Sequence, residues 1–112
     1  MEHEDFAKIV ASQQALCSDV LVDKARQYAS GHDKLHNFKV AAAVEGVTVK
    51  QALAGMMAKH TVSIYDMCRS LEQYDEDVWN EKITDHLNYL LLLKAVVMEE
   101  KMNPLDSALP NL

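Results

Sequence analysis

One stretch, Lys59 to Leu93, limits the fold more than any other part of the chain, because two amphipathic helical patterns stand in it with only a short polar break between them. At about 100° per residue, Met56, His60, Ile64, Met67 and Leu71 fall on one stripe of the first pattern, and Lys59, Ser63, Asp66 and Ser70 fall on an adjoining one. In the second pattern Glu81, Asp85 and Asn88 share a polar stripe through i, i+4 and i, i+7 spacing, bordered by Ile83, Leu87, Leu90 and Leu91. Helices joined by a turn as short as Gln73-Tyr74-Asp75-Glu76 fold back antiparallel, so the polar stripe of one meets that of the other. That seam is the candidate site, with Lys59 facing Asp85 across an enclosed groove.

The rest of the chain reads as helix around this hairpin. From Glu4 to about Ala29 the residues Phe6, Ile9, Val10, Leu16, Cys17, Val20, Leu21, Ala25 and Tyr28 recur every three to four positions, which predicts one N-terminal helix over 1–30, or two if Ala11-Ser12-Gln13-Gln14 breaks it. Ser30-Gly31-His32 supplies its stop. Asp33 is placed to cap a short helix over 33–46 that ends at Gly46. Thr48 and Gln51 form a capping box for a third helix over 48–72. Asp75 or Asp77 caps a fourth over 76–102, which Asn103-Pro104 stops, leaving a tail over 103–112. No segment shows the period-two alternation of a strand. The expected fold is therefore all-α, a single domain in a bundle of four to five helices with the antiparallel hairpin at its centre.

Composition narrows the function classes. A net charge of −6 over 112 residues supplies no clustered basic surface, so direct binding of duplex nucleic acid is not expected. An acidic surface suits metal cations, basic protein partners or solubility. The opening MEHEDFAKIV lacks the basic start and long apolar run of a secretory signal, and the apolar segment Leu87 to Met98 is interrupted by Lys94 and too short to span a bilayer. These features predict a cytoplasmic protein with no membrane association. Cys17 and Cys68 lack CxxC spacing and are expected as buried thiols. The greasy run from Leu87 to Met98 exceeds what three short helices cover, which predicts a homodimer or higher oligomer.

Several constellations carry possible chemistry, each beside a plainer structural reading. Asp66, Glu81 and Asp85 are the carboxylates best placed to hold a magnesium ion, which takes oxygen ligands; the plainer reading is a solvated helix face paired with Lys82 or Lys59. Asp85 and Asn88 interrupt an otherwise apolar run, and polar groups there are harder to assign to solvent. His60 and His86 lie at the edges of the apolar stripes, as acid–base groups or as hydrogen-bonded core residues. His32 and His36 have i, i+4 spacing suited to a transition metal if the segment is helical. Arg26, Lys34, Lys39 and Lys59 are the cations available to a phosphate, and Tyr28 and Phe38 the rings available to a base. No phosphate-cradling glycine loop, nucleophile elbow or HExxH stands in the chain.

The run of Arg26-Gln27-Tyr28, His36-Asn37-Phe38, Lys59-His60 and Trp79 to Tyr89 resembles a group of small bacteriophage proteins that look like compact relatives of the all-α MazG-like nucleoside-triphosphate pyrophosphohydrolases. The likeness covers residues from about 20 to 100. It implies a helical bundle, often oligomeric, with a magnesium-dependent nucleotide site between helices, in the cytoplasm of an infected bacterial host. Those enzymes carry Glu-x-x-Glu on one helix and Glu-x-x-Asp on the next. Here Asp85 matches the final Asp, Lys82 stands three residues before it, Glu81 is displaced by one, and the first pair has no counterpart.

Three functions follow as expectations. The first is magnesium-dependent hydrolysis of a nucleoside triphosphate or related nucleotide, with Asp85 and Glu81 catalytic, Asp66, Glu81 and Asp85 on the metal, and Arg26, Tyr28, Asn37, Lys59 and Asn88 binding the nucleotide. The second is a noncatalytic binder that sequesters a host signalling nucleotide, a reading the missing carboxylates favour. The third is an acidic inhibitor of a host defence or replication protein, acting through its outer surface.

Overall fold

The structure, a computed structural model, describes residues 1–24 and 33–103, without the side chains of residues 23 and 24. The fold is all-α: helix α1 (His3–Ser18), a π-helical stretch (Asp19–Lys24), α2 (His36–Glu45), α3 (Val49–Arg69) and α4 (Glu76–Met102), with no strand among the described residues. The four α-helices form a small bundle.

Local chemistry explains most boundaries. At the start of α3 the Thr48 hydroxyl accepts from the Gln51 N–H at 3.2 Å while the Thr48 N–H donates to Gln51 Oε1 at 3.0 Å, so the expected capping box is complete. Gly46 ends α2 in the left-handed region at φ 69°, where a side chain would be strained. Asp33 holds the chain ahead of α2 by accepting from the Leu35 N–H at 2.9 Å, although the helix itself starts at His36. Asp75 occupies the cap of α4 with its backbone alone: its carbonyl accepts from Val78 and Trp79, and its side chain makes no capping bond.

Two expected boundaries move. Helix α1 runs unbroken through Ala11 to Gln14 and then widens into the π-helical stretch, a change no local residue pattern announces. Helix α3 stops at Arg69 rather than Glu72, because Ser70 turns extended and its hydroxyl accepts from the Glu72 N–H at 3.0 Å. The stop assigned to Ser30-Gly31-His32 and most of the tail over 103–112 lie outside the described residues.

Helices α3 and α4 pair antiparallel, as Lys50 Nζ to Glu100 Oε2 (3.1 Å) near one end and Thr61 to His86 (2.8 Å) further along show. The T-shaped pair Tyr74 and Trp79 packs at the turn between them. The core comes from α2, α3, α4 and the residue leading into α2: Leu35, Phe38, Leu53 and Val96 are buried, with Val49, Met56, Tyr89, Leu92 and Leu93 packed around them. Lys39 bridges Asp33 (2.7 Å) and Glu99 (2.6 Å), tying the start of α2 to the end of α4.

Helix α1 departs from its expected role. Of its amphipathic stripe only Cys17 is buried, and Phe6, Ile9 and Val10 are 59, 51 and 38 % exposed. It attaches to α4 through Gln13, whose side-chain amide donates to Thr84 Oγ1 at 2.8 Å. Cys68, expected buried, is exposed on α3.

Candidate functional site

A groove of about 460 Å³ opens where the π-helical stretch, the start of α2, α3 and the middle of α4 meet. Val20 and Leu21 form one wall, Phe38, Met56, Tyr89 and Leu92 the floor, and Lys34, Asn37, Asp85 and Asn88 the polar positions. The wall is tethered, because Lys34 Nζ donates to the carbonyl of Leu21. The floor is aromatic: Phe38 and Tyr89 meet edge to face at 6.2 Å, and His60 tilts against the other side of Tyr89 at 4.7 Å.

Asn88 is the unusual member. It is 6 % exposed, and neither its Nδ2 nor its Oδ1 finds a hydrogen-bond partner among the described residues. Helix periodicity explains its position: Asn88 lies three residues after Asp85, one turn further along the same face of α4, beside Leu92 one turn on. A buried amide left unpaired costs about 1–3 kcal/mol per group, so a residue of this kind on a groove calls for a partner beyond the described residues, an ordered water or a ligand. Each of the two atoms exposes less than 1 Å².

The structure sorts the expected site residues. Asp85, Asn88 and Asn37 line one groove. Lys59 is exposed and outside the lining; the lysine at the groove is Lys34. The reason is helical phase: Lys59 is one position before His60, so it lies about 100° round α3 from the stripe that faces α4. The enclosed Lys59–Asp85 groove is thereby corrected to an open one in which the Asp85–Asn88 face of α4 meets Lys34 instead. Asp66 and Glu81 are both exposed, and no group of three or more His, Cys, Asp or Glu among the described residues stands close enough to hold a metal ion. The magnesium set Asp66, Glu81 and Asp85 is therefore not assembled by this fold, and the donors present do not fit the cation that the sequence resemblance implies. Arg26, Tyr28 and His32 lie outside the described residues. His36 is exposed. His60 packs on Tyr89, and His86 Nε2 shares a hydrogen bond with Thr61 Oγ1.

Sequence reasoning missed the wall formed by Val20 and Leu21, which depends on the π-helical stretch, and the Gln13–Thr84 bond that docks α1. Neither had a local signal, since the second joins residues 71 apart in the chain. Lys34 was visible only as one cation among several.

The fold and groove define a class, a small all-α bundle with a partly apolar groove carrying an unpaired amide. Beyond that class, the chain matches no protein-family description, no curated protein and no solved structure. No helix among the described residues is long and apolar enough to cross a membrane.

Proposed function

We propose that this protein binds a nucleotide in the groove between the π-helical stretch, α2 and α4, and does so without metal-dependent hydrolysis. The observation that carries the reading is Asn88, a buried amide with both polar atoms unpaired on a groove whose floor is aromatic. A flat heteroaromatic ring offers both things such a site lacks: hydrogen-bonding atoms in one plane for the amide, and a face to lie against Tyr89. Lys34, exposed at the rim, is the cation available to a phosphate once it leaves the Leu21 carbonyl. Asp85 is the single carboxylate among the described residues of the groove, and the described residues offer no cage for a metal to activate water. Sequestration of a nucleotide, rather than turnover, is what this arrangement supports.

The experiment is titration calorimetry of the purified protein with nucleoside mono- and triphosphates, with and without magnesium, followed by chromatography of the ligand recovered after heating. The expected result is saturable binding that needs no magnesium, with the ligand returned unchanged. Hydrolysis products in the recovered ligand would replace binding by catalysis, and the lack of heat with every nucleotide would remove the reading altogether.

The expected self-association keeps a specific observation in its favour. Leu90 and Leu91 are 43 and 48 % exposed, and together with Leu87, Leu21 and Val22 they line a second, apolar depression of about 580 Å³ beside the exposed stripe of α1. A helix with so little buried surface is marginal alone, and a second copy placing its own α1–α4 face here covers both features at once. Light scattering at micromolar concentration that returns the mass of one chain removes this part of the proposal.

A further inference from the structure

We infer that a second copy of this chain covers the outer face of α4 with its own α4, the two helices running antiparallel about a two-fold axis that passes between Leu87 and Leu90. The inference rests on the self-association reading above and adds the surface, the direction and the register.

The face is set by what the other helices leave uncovered. Thr84 turns to α1 through Gln13, His86 turns to α3 through Thr61, and Asn88 and Leu92 line the groove beside α2. At about 100° per residue, the remaining side of α4 carries Ile83, Leu87, Leu90 and Lys94, and all but the half-buried Leu87 are exposed. Leu87, Leu90 and Lys94 also line the apolar depression next to α1. Continued toward the helix ends at alternating steps of three and four, the same row takes in Asn80 and Glu76 on one side and Val97 and Lys101 on the other. Positions in that rhythm form the seam along which one helix packs on another.

Charge fixes the direction. The row is acidic at its start (Glu76), apolar in its middle and basic toward its end (Lys94 and Lys101), and none of these charges joins an ion pair among the described residues. A parallel partner sets like charge on like charge at both ends, which is repulsive. An antiparallel partner brings Glu76 to the partner's Lys101 and Leu87 to the partner's Leu90, each contact occurring twice by symmetry. Ile83 then faces the partner's Lys94, whose aliphatic stem lies along the isoleucine while its ammonium stays in water. Asn80 faces the partner's Val97. The N-terminus of each α4 also lies beside the C-terminus of the other, the favourable sense for the two helix dipoles. Sliding the partner by one heptad either way leaves part of the row unmatched at an end, so this register covers most of it. The partner's Ile83, Leu87 and Leu90 come to lie over the depression, which supplies the apolar cover that the described residues do not.

The test is sedimentation equilibrium of the full chain at low ionic strength, where charge pairs are screened least. Wild type, Glu76→Lys, Lys101→Glu, an equimolar mixture of these two variants, and Leu90→Glu are compared, with circular dichroism to check that helix content is kept. Wild type should be a dimer. Each single charge change turns both end attractions into repulsions and should weaken the dimer about tenfold to hundredfold. Mixed, the two variants again place opposite charges at both ends and should recover the wild-type affinity as a heterodimer, a gain that misfolding cannot produce. Leu90→Glu sets carboxylates at the centre of the seam and should sediment as a single chain. A wild-type dimer that Glu76→Lys or Leu90→Glu leaves unchanged, or a mixture that does not recover, overturns this register and leaves the self-association reading standing. A single-chain mass for the wild type overturns both.

Discussion

Replacing Asn88 by leucine tests the physical premise of the site without any ligand. Both polar atoms of the Asn88 amide are buried to less than 1 Å² and unpaired, and its groove neighbours include Phe38, Met56 and Leu92. Leucine has a similar volume and no polar atoms, so Asn88→Leu removes two unsatisfied groups and adds apolar contact. Taking about 1 kcal/mol for each group, the low end of the usual range, the unliganded protein should gain about 2 kcal/mol. At about 4 °C per kcal/mol for a chain near this size, Tm should rise by roughly 8 °C. Urea unfolding followed by circular dichroism, with an unchanged slope against denaturant, reads the same quantity at constant temperature. The variant should also lose nucleotide binding, so stability and function move in opposite directions. A Tm that stays level or falls would mean that the amide is hydrogen-bonded in the free protein, and the inference from an orphaned group to a ligand would lose its basis.

Other consequences follow from the packing and the ion pairs. Leu53 is fully buried at the centre of the core, so Leu53→Ala should cost about 2–5 kcal/mol in urea unfolding. Thr48→Ala removes one half of the capping box of α3 and should cost about 1 kcal/mol by the same measurement, with Thr48→Ser restoring most of it. The carboxyl of Asp33 is held below its ordinary value by its hydrogen bond to Lys39 and by the Leu35 N–H. Its folded value lies under its unfolded one, so its stabilising effect is complete above about pH 4 and fades as pH falls through the lowered value. Lys39 is raised by Asp33 and Glu99, and its share is present at neutral pH and lost only as pH climbs past its raised value. The pair is partly exposed, so Asp33→Asn should lower stability at pH 7 by no more than about 1 kcal/mol, and the difference from wild type should shrink in acid, as urea midpoints at pH 7 and below pH 3 will show.

Much of the fold was readable in the residues because the interactions that decide it are local. The capping box of Thr48 and Gln51 spans one helical turn, Gly46 answers to its own φ, and the hydrophobic period over α3 and α4 with a short turn between them leaves antiparallel pairing as the outcome. Asn88 and Asp85 stood out for the same reason, as polar side chains in an apolar run on one face of one helix. The partners of that face were beyond the reach of such signals. One residue along a helix is about 100° round its axis, so the sequence alone could not decide whether Lys59 or Lys34 reaches the groove.

What the chain determined by itself is therefore the list of helices, their capped ends and the polar face of α4, all products of contacts within a few residues. The tertiary structure decided which flank of α4 is covered, that a π-helical stretch walls the groove, that Gln13 docks α1 on Thr84, and that Asp66 and Glu81 stay exposed without forming a metal set with Asp85. These are settled by how helices rotate and pack to bury Leu53 and Phe38, a balance of many distant contacts that no short run of residues encodes.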